Sequence, residues 1–241
     1  MVSSARVTSE IDHDLRLIER NPEYAWGWAT FAGRVRSQRR AQIICEGARL
    51  RPGMRVLEVG CGTGLFTERF AATGASVVAI DVSGALLEKA RARKLSGVEF
   101  LEVPLEGAGH LGPFDAVIGS SVLHHLDLEP ALAMLFRLLV PGGVASFAEP
   151  NILNPQVWVE RRFRRFFWFV SPTETAFDRR VLQARFAEQG FVDVRTRPFD
   201  WLHPVTPRPL IDWVSAAGKL IEEVPLLREY SGSLHVLATK P

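Results

Sequence analysis

The run Val56-Leu57-Glu58-Val59-Gly60-Cys61-Gly62-Thr63-Gly64 constrains the fold more than any other stretch of the chain. A short apolar strand enters three glycines at every second position and leaves as a helix. Glycine is required where the backbone turns sharply and where no Cβ can stand between chain and ligand. The run is one unit of a longer alternation. Short β-branched runs at Arg55–Val59, Ser76–Ile80, Val98–Leu101, Phe114–Gly119 and Val144–Glu149 read as strands. Gly64–Ala72, Gly84–Lys94 and Glu129–Leu139 read as the helices between them. Such alternation predicts an α/β, doubly wound, mostly parallel sheet. Phe191–Arg197 and Ser233–Ala238 supply two last strands and make the sheet seven-stranded. The final strand should be antiparallel, either added at an edge or inserted between strands.

The loop spacing also says what it holds. G-x-G-x-G is not the G-x-G-x-x-G of dinucleotide binders, and no lysine stands where a phosphate-gripping loop would place one. Glu58 at the strand end repels a pyrophosphate and attracts a cation. Asp81 closes the next strand, where an acid can accept both hydroxyls of a ribose. Acid, glycine loop and acid together predict a nucleoside with a positive or zwitterionic tail.

With these residues the chain resembles the class I S-adenosylmethionine-dependent methyltransferases, small-molecule type. The resemblance covers roughly 50–150 by motif and 191–239 by topology. It implies S-adenosyl-L-methionine as cofactor. It also implies that Glu58, Gly60, Cys61 and Gly62 wrap the methionine part, that Asp81 holds the ribose and that Val82 lies beside the adenine. The family often has an aspartate after the third strand; here Pro104 holds that position, so Leu105 and Glu106 take over the contact. Ser120, after the fourth strand, closes over the sulfonium and carboxylate. Pro141-Gly142-Gly143 matches the family's turn before the fifth strand.

Methyl transfer is an in-line displacement, so alignment supplies much of the acceleration, and a base is needed only if the acceptor must lose a proton. His125 and His124 lie just past the fourth strand, at the carboxyl edge where open α/β sheets bind ligands. A histidine there deprotonates a hydroxyl at neutral pH; the other reading is a helix cap and a packed ring. Glu149 ends the fifth strand and is the third candidate base, with Asn151 beside it as an acceptor ligand or a turn residue. A Ser-Pro-Pro-aromatic motif of the kind found in amino-methylating members is absent after the fourth strand. That disfavours adenine and glutamine substrates. A cytosine-C5 activity is excluded, because neither Cys45 nor Cys61 follows a proline.

Two aromatic stretches remain. Residues 157–170 pack Arg161, Arg162, Arg164 and Arg165 among aromatic residues including Trp158 and Phe167. As one helix they would form a cap over the acceptor pocket or pack their aromatics on the core, form an in-plane membrane helix with snorkelling arginines, or make a nucleic-acid clamp. Phe167 is the residue expected to wall the acceptor. The N-terminal run 24–34 offers Tyr24, Trp28 and Arg34 as lid residues. Glu174 and Asp178 either reach the acceptor or cap the next helix, capping being the expectation, and His203 is expected to be structural.

Composition sets the partners. There are 29 Lys+Arg against 27 Asp+Glu, a formal net charge of +2. With four lysines, 29 − 4 = 25 of the cations are arginine. That balance argues against nucleic acid as partner. Two cysteines cannot form a disulfide framework or a four-cysteine metal site, so no metal is expected and a cytoplasmic location is. Oligomeric state is not legible, and peripheral contact with a membrane stays open. The organisation expected is a helical lid over 1–50 and a Rossmann-like domain over 51–241, with insertions at 151–176 and 201–229. The function expected is methylation of a small hydrophobic or aromatic acceptor, at oxygen, in secondary metabolism. A lipid-linked or membrane-borne acceptor and a non-catalytic S-adenosylmethionine-binding protein are the alternatives.

Overall fold

The computed structural model describes residues 21–167 and 174–241, together with Thr8, Ile11, Leu15 and Ile18. In chain order the elements are α1 (Pro22–Ala25), α2 (Phe31–Ala48), β1 (Arg55–Val59), α3 (Thr67–Ala71), β2 (Ser76–Asp81), α4 (Gly84–Ala92), β3 (Val98–Glu102), β4 (Phe114–Ser120) and α5 (Leu128–Leu138). Then follow β5 (Leu139–Pro150), α6 (Pro155–Arg162), α7 (Arg179–Glu188), β6 (Val192–Phe199), α8 (Ile211–Ile221), α9 (Pro225–Arg228) and β7 (Ser233–Thr239). Residues 12–20 also read as a helix in the sequence, and most of them lie outside the described residues.

One seven-stranded sheet runs β3-β2-β1-β4-β5-β7-β6. The pairs among β1 to β5 are parallel. β7 is inserted between β5 and β6 and is antiparallel to both. Central strands are apolar on both faces, as a sheet covered by helices on both sides requires. On one side Leu57, Val117, Phe147 and Val236 pack with Leu132, Leu135 and Phe186. On the other, Val56, Ile118 and Ala148 pack with Ala41, Ile44 and Phe70. α2 is therefore a layer of the core, started by the Thr30 hydroxyl accepting from Gly33 N at 2.9 Å and ended by Arg49 in the left-handed region. Lid character in the N-terminal fifty is confined, among the described residues, to Trp26 and Trp28.

α6 corrects the expected long helix. Asn154 caps it by accepting from Gln156 N and Val157 N, and Pro155 pre-sets its first turn. It ends at Phe163, whose backbone leaves the helical region at φ −117° and ψ 33°. A continuous helix through Arg165 is therefore not formed, and the part of it expected beyond residue 167 lies outside the described residues. Among the described residues, no helix is long and apolar enough to cross a membrane.

Candidate functional site

A cavity of about 330 Å³ opens at the carboxyl ends of β1, β2, β4 and β5, where the chain switches from winding one way to winding the other. The glycine loop forms its floor. Gly60 N and Cys61 N both donate to Ile80 O, at 2.9 and 3.1 Å, which folds the loop back over β2. Gly60 has φ +68°, and a Cβ there would lie 2.5 Å from Val122 Cγ2. Asp81 locks the loop from the other side: Oδ2 accepts from Gly62 N at 2.8 Å and Oδ1 from Ser83 N at 2.9 Å. Burial raises the Asp81 carboxyl above its usual range, against the pull of those two N–H groups. A carboxylate with spare lone pairs facing a cavity is poised to take hydroxyl donors.

Gly60, Cys61, Gly62, Asp81, Val82, Leu105, Glu106 and Ser120 all line the cavity. Ser120 Oγ is buried with no hydrogen-bond partner, an orphaned group aimed at this region. Glu58 is different. It lies beneath the loop, 2 % exposed, and does not line the cavity. Burial pushes its carboxyl up to about 8, so a cation above the loop would favour its ionised form. The cradle, the carboxylate and the unpartnered hydroxyl fit a nucleoside bearing a zwitterionic, positively charged tail, and hence S-adenosylmethionine.

Past β4 the chain makes a strained turn. Ser121 sits at φ 57°, and its N–H donates to Ala148 O at 2.7 Å. The turn lays residues 122–125 across the end of β5, over Glu149. Glu149 is fully buried. Its Oε1 accepts from Val122 N and Leu123 N at 3.0 and 2.9 Å, and its Oε2 faces His124 Nδ1 at 2.7 Å. Burial works against this charge, yet the His124 hydrogen bond and the two backbone N–H groups hold Glu149 below the usual carboxylate range. Burial and the neighbouring His125 hold His124 low. Both directions favour a carboxylate beside a neutral imidazole. In the tautomer that donates from Nδ1 to Glu149, the lone pair falls on Nε2.

The sequence placed both histidines and Glu149 at one edge, and the structure gives them separate jobs. His124, 4 % exposed, and His125, half-buried, both line the cavity. Glu149 does not; its oxygens are taken by the loop it holds. Asn151 is also buried away from the cavity: Nδ2 donates to Glu229 O and Ser231 O, both at 2.8 Å, and Oδ1 accepts from Leu153 N. It pins α6 to the segment before β7. Tyr24, 61 % exposed, points outward, and Arg34 lies on the surface against Phe31. Phe167 is absent from the lining, whereas Trp28 is part of it, edge-on to Phe66 at 5.4 Å. His203 lies outside the cavity, accepting from Val205 N.

Several lining residues carried no specific signal. Trp26 follows α1, and Glu160 and Arg161 project from α6. Of the two acids expected to cap or to reach the acceptor, Asp178 caps α7, accepting from Arg180 N and Val181 N. Glu174 instead lines the cavity, 2.9 Å from Arg161 Nη2 and 3.7 Å from His125 Nε2. Its position is set by the next residue: Thr175 N and Oγ1 both donate to His124 O, at 3.3 and 3.2 Å. Nothing local in the sequence reports that contact.

Residues 56–143 match a family model described as a methyltransferase domain. A ubiquinone biosynthesis O-methyltransferase of Psychrobacter cryohalolentis is 29 % identical over 168 residues, covering 61 % of this chain and 64 % of the relative. This chain thus spans less than two thirds of that relative's length. A second protein of that name, from Bordetella avium, is 28 % identical over 199 residues, covering 75 % of this chain and 81 % of the relative. Among solved structures, a Thermotoga maritima protein described as an S-adenosylmethionine-dependent methyltransferase and possible histamine N-methyltransferase superposes with TM-score 0.69 at 18 % identity, covering 94 % of this chain and 99 % of its own. The matched span, the strand order and the site together identify residues 56–143 as a methyltransferase domain, in a chain with the class I, Rossmann-like fold of the S-adenosylmethionine-dependent methyltransferases.

Proposed function

We propose that the protein transfers a methyl group from S-adenosylmethionine to a hydroxyl of a small, aromatic acceptor. The observation that carries this reading is the Glu149–His124 hydrogen bond of 2.7 Å at the cavity wall. An ionised, buried carboxylate that fixes a neutral imidazole by Nδ1 presents Nε2 as a base, the arrangement by which an acid orients a histidine for proton abstraction. A neutral amine attacks through its own lone pair and needs no base for that step. The two relatives named as O-methyltransferases support the same reading.

The glycine loop, Asp81 and Ser120 would hold the cofactor, with Val82, Leu105 and Glu106 around the adenine. Bound there, S-adenosylmethionine supplies an electrophilic methyl on sulfur. Trp26, Trp28 and Phe66 give the acceptor flat apolar walls, and burial among them excludes water. His124 takes the hydroxyl proton on Nε2 as the oxygen attacks in line, and the imidazolium so formed is stabilised by Glu149. His125 and Glu174 face the same space and orient the polar end of the acceptor. Glu149 acts through His124 and is a positioning residue.

The test is a panel of phenols, catechols and matched anilines incubated with purified protein and labelled cofactor, read by transfer of label and formation of S-adenosylhomocysteine. Transfer to phenols above anilines is expected. Transfer to anilines alone rules out the O-methylation reading. Cofactor binding without transfer to any acceptor favours a non-catalytic binding protein. A membrane-borne acceptor is the second reading, favoured by exposed Trp158, Phe163 and Phe166, with Arg162 and Arg165 against the last two. Flotation with vesicles that is lost when those aromatics become serine supports it.

A further inference from the structure

We propose that His124, His125 and Glu174 form a three-ligand site for a divalent transition-metal ion of the zinc type, with its remaining coordination position open to the cavity. Each of the three offers one ligand atom, and these atoms lie within 4.8 Å of one another. His125 Nε2 and Glu174 Oε1 are already 3.7 Å apart. Nitrogen and oxygen ligands at about 2.0–2.1 Å from a tetrahedral zinc stand about 3.4 Å from each other. Small side-chain rotations therefore close the site. The two imidazole rings lie with centroids 4.2 Å apart, tilted by 39°.

The surroundings of these ligands are what distinguish them from a chance cluster. Metal-ligating histidines commonly donate their other ring N–H to a carboxylate, and ligating carboxylates are in turn hydrogen-bonded. Both features are present. Glu149 Oε2 takes His124 Nδ1 at 2.7 Å, which fixes Nε2 as the ligating nitrogen. Arg161 Nη2 holds Glu174 Oε2 at 2.9 Å, leaving Oε1 turned to His125. Arg161 is itself held by its Nε donating to Thr175 O at 3.0 Å. The two segments of the site are tied together, since Thr175 N and Oγ1 both donate to His124 O. Glu160 and Asp127 line the same cavity and add negative charge to it. His124 and Glu174 are 4 % and 8 % exposed, so this is not a surface cluster of acids. Imidazole and carboxylate donors together suit zinc, cobalt or nickel rather than calcium or magnesium.

Metal binding at this site does not rest on the methyl-transfer reading, but its consequence does. A metal on Nε2 of His124 occupies the lone pair that removes the acceptor proton. The ion and the proton then compete for one atom, and zinc inhibits transfer.

The test is calorimetric titration of zinc chloride into chelator-treated full-length protein, without cofactor or acceptor. One ion per chain is expected. Glu174→Gln and His125→Asn should each weaken binding about tenfold or more, and Glu149→Gln should weaken it through loss of the support to His124. Cobalt(II) substitution should give the visible absorption of a four-coordinate ion, lost in the same variants. No binding, or binding that Glu174→Gln and His125→Asn leave unchanged, overturns the site. Should circular dichroism show one of the two variants to be unfolded, the other decides. Transfer assays separate the two claims: zinc that binds here and slows transfer, reversibly by chelator, supports both. Zinc that binds here and leaves transfer untouched keeps the metal site and overturns His124 as base.

Discussion

Replacing Asp81 tests how the cofactor is held. The carboxylate closes β2, and its two oxygens accept Gly62 N and Ser83 N at 2.8 and 2.9 Å. Its remaining lone pairs face the cavity and are assigned to the two ribose hydroxyls. A hydrogen bond to a charged group contributes about 1.5–3 kcal/mol. Losing two of them costs about 3–6 kcal/mol, so Asp81→Ala should weaken S-adenosylmethionine binding by about 10²- to 10⁴-fold. Asp81→Asn retains one oxygen to brace the loop and should fall between the variant and wild type. Burial raises the Asp81 carboxyl, which means that its charge costs the native state something. Removing it relieves that cost but leaves Gly62 N and Ser83 N without their acceptor, so stability at neutral pH should change little against the loss of affinity. Calorimetry with the cofactor and urea melts of the same samples measure both. An Asp81→Ala protein that binds within threefold of wild type refutes the ribose assignment.

Other residues give sharper separations of structure from chemistry. Asn151→Ala removes three hydrogen bonds in the segment joining β5 to α6. It should cost about 2–3 kcal/mol in urea melts without changing the KM of any acceptor found; a raised KM at unchanged stability would return it to the substrate site. Gly60→Ala places a Cβ against Val122 at a backbone φ of +68° and should abolish cofactor binding in calorimetry. His235, bonded to Ser146 Oγ at 2.9 Å, is held down to about 4 by burial and by Arg40 and Arg197. Its neutral form is favoured by folding, so that stability is present above pH 6.5 and is lost as pH falls from 6.5 toward 4. The loss reaches at most about 3 kcal/mol. In His235→Gln the pH dependence over that window should flatten; an unchanged slope in acid melts would show that other groups set it.

The parts of this molecule that were legible in the sequence are those encoded by local chemistry. The glycine loop, Asp81 and the β-branched strands need only neighbours within a few residues. Strands β1 to β4 fall within a residue or so of the expected limits for that reason. Strand β5 was read five residues too short at its start, because Pro141-Gly142-Gly143 does turn, with Gly142 at φ +77°, inside a strand whose pairing jumps from Phe114↔Leu139 to Ala116↔Val144. The place of β7 was open because insertion and edge addition bury the same apolar alternation. At the site, the strand edge was right and the direction of side chains was not. Glu149 points under the loop it supports, and Asn151 into a cage of carbonyls. Trp26 takes the inward position expected of Tyr24, because the chain turns between α1 and α2. Glu174 and Arg161 are brought to the histidines by contacts from distant segments, and no spacing rule reports those.

The central claim is that a Glu149-oriented His124 removes a hydroxyl proton for methyl transfer. The direct measurement is the rate of label transfer to a phenol by His124→Gln, set beside its calorimetric affinity for S-adenosylmethionine. The account predicts a fall in kcat of about 10²- to 10⁴-fold with cofactor affinity within threefold of wild type. His124→Gln protein that binds the cofactor and turns over at the wild-type rate would contradict it.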